Sequence, residues 1–301
     1  MTEALGMVGM TETPAVIMVG QRTGPSTGLP TYSSQADLRF MLHASQGEFP
    51  RVVIAPGDTE ECFYETMRAF NWAEKYQLPV ILLTDKYLVE SQTSQEPFDR
   101  YRVKIDRGDL IAGEFKEAGE YKRHEFTESG VSPRAIPLTK GAIVRTNADY
   151  HDEWGYTSEN PVTTRKMIDK MMNKLSCMAV ELEETKVEMT KFYGSESAEA
   201  TIIAWGSTKG PILEAMSLLN EKKPLVNYLQ VIYLQPFPED TVMRTMDKAE
   251  RTLVIENNRN SQLSSLIRDY LLREPDRTIL KYDGRPFNPL YLAGKVKEAL
   301  A

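Results

Sequence analysis

Pro14-Ala15-Val16-Ile17-Met18-Val19 runs through Gly20 into Gln21-Arg22-Thr23-Gly24-Pro25-Ser26-Thr27-Gly28-Leu29-Pro30-Thr31, and this junction decides the fold. The first six residues are a short apolar run rich in β-branched side chains, the pattern of a buried parallel strand. Gly20 to Thr31 then falls where a strand of an open α/β sheet ends, the usual place for ligands. Arg22 is the only charged residue of the loop. Two glycines and two prolines fix its shape, and Ser26, Thr27 and Thr31 supply hydroxyls. A guanidinium grips a planar carboxylate through two parallel hydrogen bonds, so the loop reads as an anion site suited to a small carboxylic acid. Taken without its loop, Arg22 reads first as a strand-end cap or one half of an ion pair, and the full motif turns the reading to substrate binding. Thr31 also suits the N-cap of a following helix, and Ser26 and Thr27 the bracing of a turn.

Working outward, Ser34 to Leu42 has helical spacing and Val52 to Ala55 makes a second strand. Asp58 with Glu61 forms a capping-box pattern that opens a helix to about Tyr76. Cys62, Phe63, Met67, Phe70 and Ala73 recur at helical spacing and predict its buried face, and Pro79 to Leu83 is a third parallel strand. Strands alternating with helices give an α/β unit, a parallel sheet with helices on both faces. Met1 to Met10 reads as the tail of a helix entered midway, which implies sequence upstream.

From about Val89 to Pro161 the apolar periodicity fades into charges, prolines and glycines. That stretch is too long for a simple linker and is expected to drape over a neighbouring domain or subunit. Pro161 to Phe192 carries Ile168, Met171, Leu175, Met178, Ala179 and Leu182 on one face and predicts a long connecting helix. The α/β rhythm then restarts, with strands at Ala200 to Trp205, Val226 to Leu234, Thr252 to Glu256 and Ile279 to Tyr282. Helices are expected at Ser207 to Asn220, Glu239 to Met246, Leu263 to Arg273 and Pro289 to Leu300. The expected divisions are residues 1–90, 91–195 and 196–301, the last a smaller α/β domain.

Composition narrows the function classes. A net charge of −7 over 301 residues, without clustered Lys and Arg, argues against a nucleic-acid surface. No window approaches the roughly eighteen apolar residues of a membrane span. No secretory signal is visible at Met1, which points to the cytoplasm. Two distant cysteines, Cys62 and Cys177, allow neither a disulfide framework nor a four-thiolate cluster, so any iron–sulfur centre belongs to another chain. His151-Asp152-Glu153 sets metal-ligand residue types side by side, but sequential neighbours rarely point at one ion, and the reading is a structural loop with no metal. Gly206-Ser207-Thr208-Lys209-Gly210 follows a strand and opens a helix without Walker spacing. Ser207 reads as an ordinary N-cap, with an anion or coenzyme A contact as the alternative.

The ordered segments of the chain resemble the α subunit of the 2-oxoacid:ferredoxin oxidoreductases, the 2-oxoglutarate-type branch above all. The carrying stretches are Met1 to Gly6, Gln21 to Thr31, Gly47-Glu48-Phe49-Pro50-Arg51, Ala55-Pro56-Gly57, Glu74 to Val80 and His151 to Gly155. Trp205 to Gly210, Leu234 to Pro238, Glu256-Asn257-Asn258 and Lys281 to Phe287 continue the series in order. The resemblance implies oxidative decarboxylation of a 2-oxoacid to an acyl-coenzyme A, with thiamine diphosphate supplying the carbanion and electrons leaving for ferredoxin. It implies a pyrimidine-binding domain, lacking its N-terminal part, followed by a transketolase-C-terminal-like domain. A β subunit would hold the diphosphate, Mg and a [4Fe–4S] cluster. Carried over by position, Arg22 would bind the substrate carboxylate, with Thr31 and Ser26 beside it. The alternatives are a non-catalytic α-like scaffold, an enzyme for pyruvate or branched 2-oxoacids, and a transketolase-type thiamine enzyme.

Departures from the family pattern matter as much. The upstream threonine and the glutamate against the cofactor's aminopyrimidine are not in this sequence, so the chain alone is not expected to turn over. Gln46 stands where a histidine is expected, and Ser261 where the turn usually has glycine, which tests whether that backbone needs positive φ.

Overall fold

The computed structural model describes residues 1–116 and 119–301. Helix α1 (Thr2–Met10) leads into β1 (Ala15–Gln21), followed by α2 (Leu38–His43), β2 (Val52–Ile54), α3 (Thr59–Tyr76), β3 (Pro79–Asp85) and α4 (Lys86–Val89). The three strands are parallel in the order β1-β3-β2, with Ala15 opposite Pro79 and Gln21 opposite Asp85. Every residue of the central strand β3 is buried, as its unbroken Val-Ile-Leu-Leu run requires of a parallel strand covered on both faces. The Asp58 carboxylate caps α3 by accepting from Glu61 N at 2.8 Å. Glu61 reaches back to accept from Gly57 N at 2.7 Å, one residue beyond the usual reciprocal partner.

After the irregular segment come α5 (Pro161–Glu184), β4 (Thr190–Tyr193), β5 (Ala200–Trp205), α6 (Lys209–Leu219), β6 (Val226–Val231) and β7 (Tyr233–Gln235). The chain ends with α7 (Glu239–Lys248), β8 (Thr252–Glu256), α8 (Gln262–Leu271), β9 (Arg277–Leu280) and α9 (Pro289–Leu300). The second sheet has the order β4-β6-β5-β8-β9, parallel except at β4. One of its faces packs on α6 and α9 through Ile202, Tyr228, Leu253 and Ile255. The other shares a core with the first sheet: Ile203, Trp205, Leu229 and Val254 meet Val53, Ile81 and Leu83 through α2, α7 and α8. Each such fully buried aliphatic side chain contributes about 1.5–3 kcal/mol, so the two sheets are joined by a continuous apolar core.

Several elements differ from the sequence expectation, each for a tertiary reason. The helix expected over 34–42 begins only at Leu38, because Ser34 and Gln35 spend their hydrogen bonds on residues beyond position 200. The connecting helix stops at Glu184, and residues 190–193 form the antiparallel edge strand β4 instead. The strand expected over 226–234 breaks at Ile232: β6 stays in the second sheet, while β7 crosses to pair antiparallel with β2 in the first. The buried face of α3 is Tyr64, Ala69, Trp72, Ala73 and Tyr76, and Phe70 is 57% exposed. Of the predicted stripe Ala73 lies on that face, while Phe63 turns to the irregular segment and stacks on Phe98, near Asn71, whose side chain donates to Lys104 O. That segment drapes, as expected, but over α3 and α5 of its own chain.

Candidate functional site

Arg22 leaves the C-terminal end of β1, and the loop beyond it closes on itself. Leu29 N donates to Thr23 O at 2.9 Å, Tyr32 N to Leu29 O at 3.2 Å and Thr23 N to Tyr32 O at 3.2 Å. Gly28 makes the closure possible: its φ is +46°, and a Cβ there would stand 2.1 Å from Thr23 O. The guanidinium of Arg22 is half-buried and donates through Nη1 to the Thr27 carbonyl. Among the described residues it forms no ion pair. Asp37 is the acid whose field it feels: burial raises that carboxyl above its ordinary value and Arg22 works against the rise. Residues 24–31 are all exposed, Ser26 and Thr31 included, and Ser26 sits at φ +51°. Thr31 caps no helix, since α2 starts seven residues later at Leu38.

The loop's far side rests on the stretch Lys281 to Phe287. Ser33 N donates to Gly284 O at 3.1 Å, and the Arg285 guanidinium lies 3.9 Å over the Tyr32 ring. Beneath it, the Asp85 carboxylate accepts from Ser33 Oγ at 3.1 Å, Leu88 N at 3.1 Å and the Ser207 hydroxyl. Burial pushes the Asp85 carboxyl up from its ordinary value, and those donors oppose the shift. Ser207 is therefore a buried tie to the first sheet rather than the N-cap of α6, whose cap residue Thr208 makes no side-chain cap bond. Lys209, from the same turn, is held by Asp58 and by Glu61 at 2.6 Å. Ser207 and Lys209 of this turn are thus spent on the chain's own acids, and the Thr208 hydroxyl on Trp205 O, rather than on a free anion.

His151, Asp152 and Glu153 do diverge. His151 Nδ1 bonds Asp149 O, Asp152 caps its own turn at Trp154 N and Tyr156 N, and Glu153 accepts from Lys122 and Phe126 N. The His151 ring instead packs 3.9 Å from the His124 ring beside Glu12, a site that sequence reading missed. Glu12 is fully buried, paired with Lys170 at 2.8 Å, with Lys174, and with His124 Nδ1 at 2.9 Å. Burial works to raise its pKa, but Lys174, Lys170 and His124 outweigh that and hold the carboxyl well below its usual value. Glu12, His124 and His151 offer donor atoms within 4.8 Å of one another. Two ammonium groups already occupy the carboxylate, which a metal ion would have to displace, so the cluster is a charge knot. The available signal was Lys170 and Lys174, four residues apart on the apolar stripe of α5 between Met167 and Met178. Cys62 is a poor nucleophile, its thiol pushed up to about 12 by burial and by Asp58, Glu61 and Asp85.

Residues 1–173 match the family model described as "Pyruvate flavodoxin/ferredoxin oxidoreductase, thiamine diP-bdg", and residues 198–290 match "Pyruvate:ferredoxin oxidoreductase core domain II". The chain is 37% identical over its full length to 2-oxoacid:ferredoxin oxidoreductase 2, subunit alpha, of Aeropyrum pernix, covering 46% of that protein. It is 30% identical to the 2-oxoglutarate synthase subunit KorA of Methanothermobacter thermautotrophicus, over 86% of this chain and 66% of that one. Among solved structures, the 2-oxoglutarate:ferredoxin oxidoreductase of Magnetococcus marinus, with 2-oxoglutarate, coenzyme A and succinyl-CoA bound, matches with a TM-score of 0.88. That match has 34% identity and covers all of this chain and 51% of the other. The chain thus spans about half the length of the first of these relatives and of the solved structure. It belongs to the pyruvate flavodoxin/ferredoxin oxidoreductase family, and within it to the alpha-subunit kind of the 2-oxoacid:ferredoxin oxidoreductases.

Proposed function

We propose that this chain provides the substrate-gripping part of a thiamine-diphosphate-dependent 2-oxoacid:ferredoxin oxidoreductase, with 2-oxoglutarate the favoured substrate. In this reading the complete complex decarboxylates the 2-oxoacid oxidatively, forms an acyl-coenzyme A and carbon dioxide, and passes electrons through a [4Fe–4S] cluster of a β subunit to ferredoxin. Arg22 binds the substrate carboxylate, while Thr31 and Ser26 lie beside the substrate. The observation that carries the reading is the guanidinium itself, half-buried, steadied by one bond to Thr27 O and free of any ion pair among the described residues. A carboxylate held there in bidentate fashion keeps the adjacent carbonyl in a fixed place, which is where most of the gain from positioning arises. The preference for 2-oxoglutarate rests on the relatives and the solved enzyme named for it.

Thiamine diphosphate, when bound, supplies the carbanion. Its aminopyrimidine needs a carboxylate with a free oxygen, and three buried acids of this chain, Asp85, Glu61 and Glu256, do not fit. Asp85 is held by Ser33 and Ser207, Glu61 by Lys209 and Gln230, and Glu256 by Trp205 and Leu263 N. We therefore assign the cofactor and its Mg to the β subunit, mainly or as a site shared with this chain, and derive no step through it. Among the described residues no helix is long and apolar enough to cross a membrane, and ferredoxin as acceptor goes with a cytoplasmic complex. The test is 2-oxoacid-dependent, coenzyme A-dependent reduction of a low-potential dye by the complete complex and by this chain alone. Reduction by the complex only is expected. A complex that assembles yet reduces no dye with 2-oxoglutarate, pyruvate or a branched 2-oxoacid overturns the reading in favour of a scaffold.

A further inference from the structure

The return arm of the loop, Ser33 to Asp37, opens with three buried residues, Ser33, Ser34 and Gln35, while Gly24 to Thr31 is exposed. Gln35 is fully buried. Its Nε2 donates to Trp205 O at 2.7 Å, and its Oε1 accepts from Asn257 N at 2.9 Å. Its backbone N donates to Asn257 O at 2.8 Å, and its backbone O accepts from Asn258 Nδ2 at 3.1 Å. Trp205 ends β5 and Asn257 follows β8, neighbouring parallel strands from which the sheet grows in opposite directions, to β6 on one side and β9 on the other. That divergence is a topological switch point, whose crevice in open α/β sheets ordinarily receives a ligand. Here the chain's own glutamine fills it.

The socket is rigid. Glu256, fully buried, accepts from Trp205 Nε1 at 3.2 Å, Asn258 Nδ2 at 2.8 Å and Leu263 N at 2.9 Å, so the groups that hold Gln35 are themselves held. Gly206 lines the wall at φ +60°, where a Cβ would stand 2.9 Å from Gln35 Nε2. The near arm is fixed by β1–β3 pairing, and the Gln21 amide, donating to Thr84 O and accepting from Asp37 N, ties it to the end of the return arm.

We infer that Gln35 is a positioning residue for the substrate loop, seated in the switch-point crevice of the second sheet so that Arg22 and Thr31 are presented between two fixed ends. The inference rests on the reading of Arg22 as the carboxylate-binding group. A loop pinned at both ends loses little conformational freedom when a ligand arrives, so releasing one end weakens binding before it slows chemistry. Gln35→Met preserves length and removes the side-chain bonds. In the complete complex it raises KM for the 2-oxoacid about ten-fold, lowers kcat less than about three-fold, and speeds amide hydrogen exchange over residues 22–33 about ten-fold. Combined with Arg22→Ala it adds nothing further to the loss of kcat/KM, since both act through one site. Gly206→Ala, pressing on Gln35 Nε2 from the residue after Trp205, moves KM and exchange the same way and decides the matter if Gln35→Met does not fold. Unchanged KM and exchange, or an equal loss with and without Arg22, overturns the inference. If Arg22→Ala alone leaves kcat/KM untouched, the substrate reading falls by itself, and the exchange data then judge the anchoring.

Discussion

The two ends of β1 carry cations in opposite circumstances. Before the strand, Glu12 gathers Lys170 and Lys174 into a fully buried knot, with Arg123 donating to its backbone carbonyl and His124 to its carboxylate. After the strand, Arg22 stands half-buried on an exposed loop with a backbone carbonyl as its partner. A buried cation costs several kcal/mol unless it is answered, so the first arrangement is closed: Glu12 answers both lysines, and Arg123 spends its donors on Gln77 and on backbone carbonyls. The second is open, its guanidinium still able to take a carboxylate. On this strand it is charge satisfaction, more than residue type, that distinguishes the two ends.

The largest effect should come from breaking the closed end. Glu12→Gln leaves two buried ammonium groups without their counter-charge and should cost about 3–5 kcal/mol, read as a lower midpoint in denaturant unfolding. A loss below about 1 kcal/mol would mean the lysines are held by something else. A smaller loss comes from pH. Burial pushes His124 down to about 4, although its bond to Glu12 works the other way. The unfolded chain, with an ordinary histidine near 6.5, takes up a proton that the folded chain refuses. Stability from this group is therefore present above about pH 6.5 and lost as pH falls toward 4, by on the order of 3 kcal/mol, and His124→Gln should flatten that part of the curve.

The open end should respond differently. Gly28→Ala forces a Cβ against Thr23 O at a positive φ, and should lower kcat/KM of the complete complex about ten-fold through loop distortion. Its effect on unfolding should stay near 1 kcal/mol, because residues 24–31 bury little. Equal damage to stability at Gly28 and Glu12 would erase the distinction between the two ends.

How much of this was legible in the sequence depended on distance along the chain. The Arg22 loop was readable because its glycines, prolines and hydroxyls lie within eleven residues, and the Asp58 cap because its partner Glu61 is three residues away. The turn at Ser261 adopts φ +49°, the left-handed region that glycine favours, as the substitution there suggested. What failed involved remote partners. Gln35 answers to Trp205 and Asn257, 170 and 222 residues away, and that cancels a local helical pattern over 34–37. Ser207 looked like a cap until Asp85, 122 residues distant, claimed its hydroxyl. Lys170 and Lys174 stand as polar interruptions of an apolar stripe, and nothing local announces that Glu12 waits opposite them.

Whether Arg22 is a ligand-seeking cation is decided by Arg22→Ala in the complete α–β complex, with 2-oxoglutarate titrated at saturating coenzyme A. The account predicts a fall in kcat/KM of about two orders of magnitude, mainly through KM, with unfolding free energy changed by less than about 0.5 kcal/mol. A kcat/KM within about two-fold of the unaltered enzyme, or a loss of activity matched by a loss of fold, would contradict it.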